Sequence, residues 1–298
     1  MCIRDRYITI LIFDMKELLP LHLDLSLSTF KGEVDQADII VIGIPYYIKT
    51  PSFNPYIKAS DVLRIMKNYV EDNSLLFSNR YYSSIKILDL GDVYSRDYDS
   101  IQTDIATIVK YVIKRRLKAI YIGGEHTFTY HLLKYYKPDN LVLLDAHLDM
   151  KDTFYHDRFN NATFIRRINE EFDLNIYVIG ARAYSQGEFE YVRRNDNIHL
   201  LDPRDIGNLD LRGETYISLD IDILDPTYMS STVYLEPGGI DLDTLLKLLK
   251  TILERADYVC GFDIMEYNPR LDRIGDAIIV LRIFYEVSLL LTLKRINR

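Results

Sequence analysis

Four apolar runs in this chain end abruptly in carboxylates or imidazoles. Residues 141–144 run into Asp145-Ala146-His147-Leu148-Asp149, and residues 119–122 into Gly123-Gly124-Glu125-His126. Residues 216–219 run into Asp220-Ile221-Asp222, with Asp225-Pro226 close behind, and residues 258–262 into Asp263-Ile264-Met265-Glu266. An apolar run of this length among helical patterns reads as a strand buried on both faces. Carboxylates at the end of such a strand need a counter-charge, because burying them unpaired costs several kcal/mol. If the chain stays extended, Asp145, His147 and Asp149 point to one side. In an open parallel sheet, ligands sit beyond the carboxyl ends of the strands, so four such ends make one acidic, histidine-containing crevice.

The donor set limits the chemistry. His126, His147, Asp145, Asp149, Asp220 and Asp222 are oxygen-rich with some imidazole, which suits a hard or borderline divalent ion such as manganese. Six ligands exceed one tetrahedral zinc and suit two ions about 3.5–4 Å apart that share bridging carboxylates. Four carboxylates cancel two divalent ions. A bound hydroxide then leaves the cluster negative, and Glu266 adds to that. Such a pocket favours a cation, and a planar guanidinium pairs well with a carboxylate.

The elements that must position these residues alternate. Strands are predicted over 37–45, 85–90, 119–122, 141–144, 175–180, 198–201, 215–219 and 258–262. Helices are predicted over 60–70, from Ser100 as a cap, over 163–171 and 188–194, from Asp241 as a cap, and over 276–294. Alternation of this kind implies a mostly parallel sheet covered by helices on both faces. The last helix is apolar apart from Arg282 and Glu286, and is too short and too charged for a membrane span.

Composition excludes several classes. The chain has 298 residues, 48% hydrophobic, which fits one large α/β domain. A net charge of −8 argues against a general nucleic-acid surface. Cys2 and Cys260 make an improbable disulfide, and a cytoplasmic setting is the default. The segment Met1-Cys2-Ile3-Arg4-Asp5-Arg6 back-translates to a sequencing-adapter end. It reads as a non-native leader, with a single domain over 7–298. A secretory signal over Tyr7 to Phe13 is rejected, since Asp14 and Glu17 follow at once.

Gly-Gly-Glu-His at 123–126, Asp-Ala-His-Leu-Asp at 145–149, Ser-Leu-Asp-Ile-Asp with Asp-Pro at 218–226, Glu-Pro-Gly-Gly at 236–239 and Gly-Phe-Asp-Ile-Met-Glu at 261–266 together resemble the ureohydrolase family of agmatinase, arginase and relatives. The resemblance runs from about residue 37 to near the C-terminus. It implies a three-layer α/β/α fold, two manganese ions per subunit, hydrolysis of a guanidino group to urea and an amine, and a homotrimer or homohexamer. It places His126, Asp145, Asp149 and Asp220 on one ion and His147, Asp145, Asp220 and Asp222 on the other, with Asp145 and Asp220 shared. Glu266 would hold the guanidinium, a bridging hydroxide would attack its carbon, and Asp149 would help with the proton. Asp263 and Asp225 read as structural.

Two departures stand out. Asn161 occupies the place where the family carries a His for proton transfer or substrate contact, and Asn cannot shuttle a proton. His156 is the candidate substitute, weighed against a solvated loop residue. The family's Gly- and Arg-rich substrate loop has no clear match in Lys49 to Lys58. The loop Met150 to Asn161 lacks the Ser- and Asn-bearing pattern by which arginases hold an α-amino acid, which favours agmatine. Aminopropylagmatine, guanidinobutyrate and arginine are the alternatives. The rival reading is a metal-binding homologue with impaired catalysis.

Overall fold

The computed structural model describes residues 26–46, 58–93, 98–207, 209–272 and 275–294. The leader Met1 to Arg6, the segment Tyr7 to Phe13 and all of Lys49 to Lys58 except Lys58 lie outside the described residues. Eight parallel strands form one sheet: β1 (Ile39–Ile44), β2 (Ile87–Asp92), β3 (Ala119–Gly123), β4 (Asn140–Leu144), β5 (Asn175–Ile179), β6 (Ile198–Leu201), β7 (Glu214–Asp220) and β8 (Tyr258–Met265). Their order is β2-β1-β3-β8-β7-β4-β5-β6, so β3, β8, β7 and β4 are central neighbours. The four runs singled out by sequence are these four strands.

Period-2 alternation divides the core into two. Ile39, Val41, Val142 and Leu144 pack on one face, under α1 (Ala59–Met66), α6 (Leu242–Arg255) and α7 (Asp276–Leu293). Ile40, Ile42, Leu141 and Leu143 pack on the other, under α2 (Tyr98–Arg115), α3 (Phe128–Tyr136), α4 (Phe164–Glu171) and α5 (Gln186–Val192). The result is the expected α/β/α layering, because strands buried on both faces need apolar cover on each. Asp241 caps α6 as predicted, its Oδ1 accepting from the Thr244 N–H at 2.7 Å. Ser100 does not cap its helix, since α2 already runs from Tyr98 and places Ser100 within its first turn.

The charged pair in α7 has a structural purpose. The buried Glu286 carboxylate accepts from Ser74 Oγ at 2.9 Å and from Tyr82 OH at 2.8 Å. The Arg282 guanidinium donates to the Glu71 and Asn73 carbonyls at 2.9 and 2.8 Å. Together they fasten the 71–82 loop to α7. Among the described residues no helix is long and apolar enough to cross a membrane.

Two departures from expectation shape the site. β8 continues past Phe262 to Met265, because the buried Asp263 carboxylate is satisfied inside the sheet. Its oxygens accept from Ser218 Oγ at 2.6 Å, Tyr216 OH at 2.9 Å and Thr129 Oγ1 at 2.9 Å. This extension sets Met265 opposite Asp220 and carries Glu266 to the sheet's carboxyl edge. β4, by contrast, stops at Leu144, and the following chain turns. Asp149 then takes a left-handed backbone (φ 51°), so Asp145, His147 and Asp149 are not one extended ladder.

Candidate metal centre

Three aspartates arrive with one oxygen fixed and the other aimed inward. The His147 N–H donates to Asp145 Oδ1 at 2.6 Å, Asp222 N–H to Asp220 Oδ1 at 2.8 Å, and Ala146 N–H to Asp222 Oδ1 at 2.9 Å. The free oxygens face the imidazoles. His126 Nδ1 lies 3.1 Å from Asp220 Oδ2 and 3.3 Å from Asp145 Oδ2, and His147 Nδ1 lies 2.8 Å from Asp222 Oδ2. The donor atoms form two compact groups, His126–Asp145–Asp220 and Asp145–His147–Asp222, with Asp145 in both.

The far side of His126 is equally ordered. Its Nε2 is 2.8 Å from Ser218 Oγ, which donates to Asp263 Oδ1. That chain orients the ring and leaves Nδ1 for the centre, as outer-shell partners of metal-binding histidines do. Asp263 is thus structural, as expected, and acts through Ser218. Asp225 is structural too: its carboxylate accepts from Thr227 N–H at 3.0 Å and Gly238 N–H at 2.7 Å.

The electrostatics call for cations. Burial opposes a charge on His147, but Asp145 and Asp222 outweigh it and push the imidazole up to about 12. His126 is raised in the same way by Asp145 and Asp220. Burial, with Asp222 and Asp145 beside it, raises Asp220 far above the ordinary carboxylate range. Asp145 Oδ2 is fully buried and accepts no hydrogen bond. An orphaned carboxylate oxygen 3.3 Å from the His126 Nδ1 fits a divalent ion, since buried acceptors are otherwise satisfied. The donor set thus fits a pair of divalent ions.

Beside these groups lies a cavity of about 240 Å³, with His147, Asp149, Asp220, Asp222 and Glu266 on its walls. Asp149 belongs to neither compact group and is half-buried. Glu266 is buried with a left-handed backbone (φ 65°), and its Oε1 accepts from the His126 N–H at 2.7 Å. Its own N–H donates to the Gly124 carbonyl at 2.9 Å. Burial pushes the Glu266 carboxyl up to about 8. Gly123 makes room for the Met265 side chain at this edge, because a Cβ there would lie 1.8 Å from Met265 Sδ.

Asn161 is also on the cavity wall, whereas His156 is not. Asn160 fixes the loop by donating from Nδ2 to the Phe154 carbonyl at 2.9 Å, and its Oδ1 accepts from Ala162 N–H at 3.1 Å. Among the described residues the Asn161 amide makes no side-chain hydrogen bond. His156 sits exposed at the tip of a tight turn closed by Phe154 and Asp157, where Tyr155 and His156 both have positive φ (49° and 61°).

Sequence reasoning assigned nothing to Arg182, Lys151, Tyr184 or Tyr234. Arg182 follows the end of β5 and donates to the carbonyls of Asp222 (2.8 Å), Glu236 (2.8 Å) and Pro237 (3.2 Å). It binds the loop carrying Asp222 to the Glu-Pro-Gly-Gly turn. Its place two residues beyond a strand's Gly180 repeats the grammar of the other four strand ends, and was the available signal.

Residues 37–289 match the profile of the arginase family. The agmatinase of Pyrococcus horikoshii is 30% identical over 263 residues, covering 85% of this chain and 90% of that protein. The agmatine ureohydrolase structure of Thermoplasma volcanium superposes with a TM-score of 0.76 at 23% identity, covering 93% of this chain and 96% of that one. A Trypanosoma cruzi formiminoglutamase variant solved with Mn2+ superposes with a TM-score of 0.77 at 19% identity, covering 90% and 97%. The chain belongs to the arginase family. It is an enzyme of the amidinohydrolase type, as the sequence resemblance implied.

Proposed function

We propose that this protein is a dinuclear manganese hydrolase of the guanidino group, acting on an agmatine-type substrate to release urea and a diamine. The observation that carries this reading is Asp145, whose carboxylate enters both donor groups and whose buried Oδ2 has no hydrogen-bond donor. His126, Asp145, Asp149 and Asp220 would hold one ion, and His147, Asp145, Asp220 and Asp222 the other. A pair of such ions, when bound, supplies Lewis acidity and activates water at neutral pH.

The chain's own residues do the rest. Glu266, fixed by the His126 N–H, holds the guanidinium beside the centre. Asp149, on the same wall, takes and returns the proton. Asn161 contacts the substrate but carries no titratable group. Ser218 and Asp263 keep His126 in one orientation. Manganese is favoured by the mixed carboxylate–imidazole set, and agmatine by the likeness to the Pyrococcus agmatinase. The family resemblance alone supports a trimer or hexamer, and the cysteine usage alone a cytoplasmic setting.

A urea-release assay of the manganese-loaded protein tests the reading, with agmatine, arginine, guanidinobutyrate and aminopropylagmatine as substrates. Agmatine or its aminopropyl derivative is expected to be hydrolysed best. Arginine as the preferred substrate would refute the agmatine-type assignment, and no urea from any of them would refute the hydrolase.

A further inference from the structure

We propose that Glu236 and Tyr234 form a subsite selecting guanidino substrates that carry a second positive charge remote from the guanidinium. This rests on the hydrolase reading and specifies its substrate class. Both residues line the cavity that contains His147, Asp222 and Glu266.

Glu236 is held rigidly relative to the metal ligands proposed above. Its carbonyl accepts from Arg182 Nη2 at 2.8 Å, and the same nitrogen donates to the Asp222 carbonyl at 2.8 Å. The Gly238 N–H donates to Asp225 Oδ2 at 2.7 Å, and Asp225 N–H to the Ile240 carbonyl at 3.0 Å. A Cβ on Gly239 would lie 2.4 Å from the Asp225 nitrogen, so the turn lies directly on the 223–225 backbone. A side chain on this turn therefore stands in a set relation to Asp222.

Charge accounting singles out Glu236. Two divalent ions would neutralise the inner aspartates, and Glu266 would take the guanidinium. Lys151, the lysine on the wall, pairs with Glu188 at 3.2 Å and lies 5.7 Å over the Phe154 ring. Among the described residues no cationic side chain pairs with the Glu236 carboxylate. The Arg182 guanidinium is taken up by backbone carbonyls, so the Glu236 carboxylate has no ion-pair partner at the wall, where it attracts an ammonium and repels a carboxylate.

Tyr234 supplies the second component. Its ring stands edge-on to His147 at 6.4 Å and is 39% exposed, a position from which it meets both the inner site and an entering ligand. An aromatic ring and a carboxylate lining one cavity are a favourable setting for an ammonium. The cavity has room for about eight waters at ~30 Å³ each, enough for a guanidine on a short alkyl chain.

The experiment compares kcat/KM for agmatine, its isostere pentylguanidine with an uncharged remote end, and 4-guanidinobutyrate with a remote carboxylate, with the manganese-loaded full chain. Wild type is expected to prefer agmatine over pentylguanidine by about tenfold or more. Glu236→Gln should collapse that ratio, Tyr234→Leu should reduce it, and Glu236→Lys should shift preference toward 4-guanidinobutyrate, all with unchanged manganese content. A ratio that survives Glu236→Gln, or an equal loss on both substrates, overturns the subsite. If no substrate yields urea, the hydrolase reading fails separately. Calorimetric binding of agmatine against pentylguanidine then still decides: a preference abolished by Glu236→Gln supports the subsite, and no preference overturns it.

Discussion

Asp145→Ala is expected to leave the protein without either manganese ion and without hydrolytic activity. The carboxylate contributes to both donor groups, and its removal leaves each with two side chains. It also removes the partner toward which both imidazoles are turned, Nδ1 of His147 lying 3.5 Å from Asp145 Oδ1. Asp220→Ala should act similarly, because the family resemblance makes it the second bridge. Asp222→Ala should weaken mainly the ion beside His147. Elemental analysis after loading and gel filtration makes the comparison, with circular dichroism as the folding control. Two ions retained by Asp145→Ala would remove the shared-ligand account.

Asn161→His is expected to raise kcat on agmatine by on the order of 10²–10⁴, the usual contribution of a positioned acid or base. Asn161 lies on the cavity wall with its amide unengaged among the described residues, so an imidazole there reaches the substrate without displacing a structural contact. Metal content should not change, since Asn161 is in neither donor group. His156→Ala should leave the rate within about twofold, as for an ordinary surface change. Abolition of activity by His156→Ala, with no gain from Asn161→His, would show that the 154–161 loop works in another conformation.

The pattern of four strand ends was readable because a buried apolar run ending in ligands is a local signal. β3, β8, β7 and β4 needed only to be neighbours for His126, Asp145, His147, Asp220 and Asp222 to meet. The conformation beyond each strand was less legible. Nothing in Leu148-Asp149-Met150 announces the left-handed Asp149. The turn at Tyr155-His156 lacks the Asn or Gly that such backbones favour, so its position on the surface carried no sequence mark. The extension of β8 depended on three hydroxyls, on Thr129, Tyr216 and Ser218, converging on Asp263 from other elements. The Arg182 bridge joins backbone carbonyls, and carbonyls have no residue identity to recognise.

Electron paramagnetic resonance of the fully loaded manganese protein tests the central claim most directly. Two ions sharing the Asp145 carboxylate should give the spectrum of an exchange-coupled manganese pair. The spectrum of an isolated manganese ion at full loading would contradict a dinuclear centre built on Asp145.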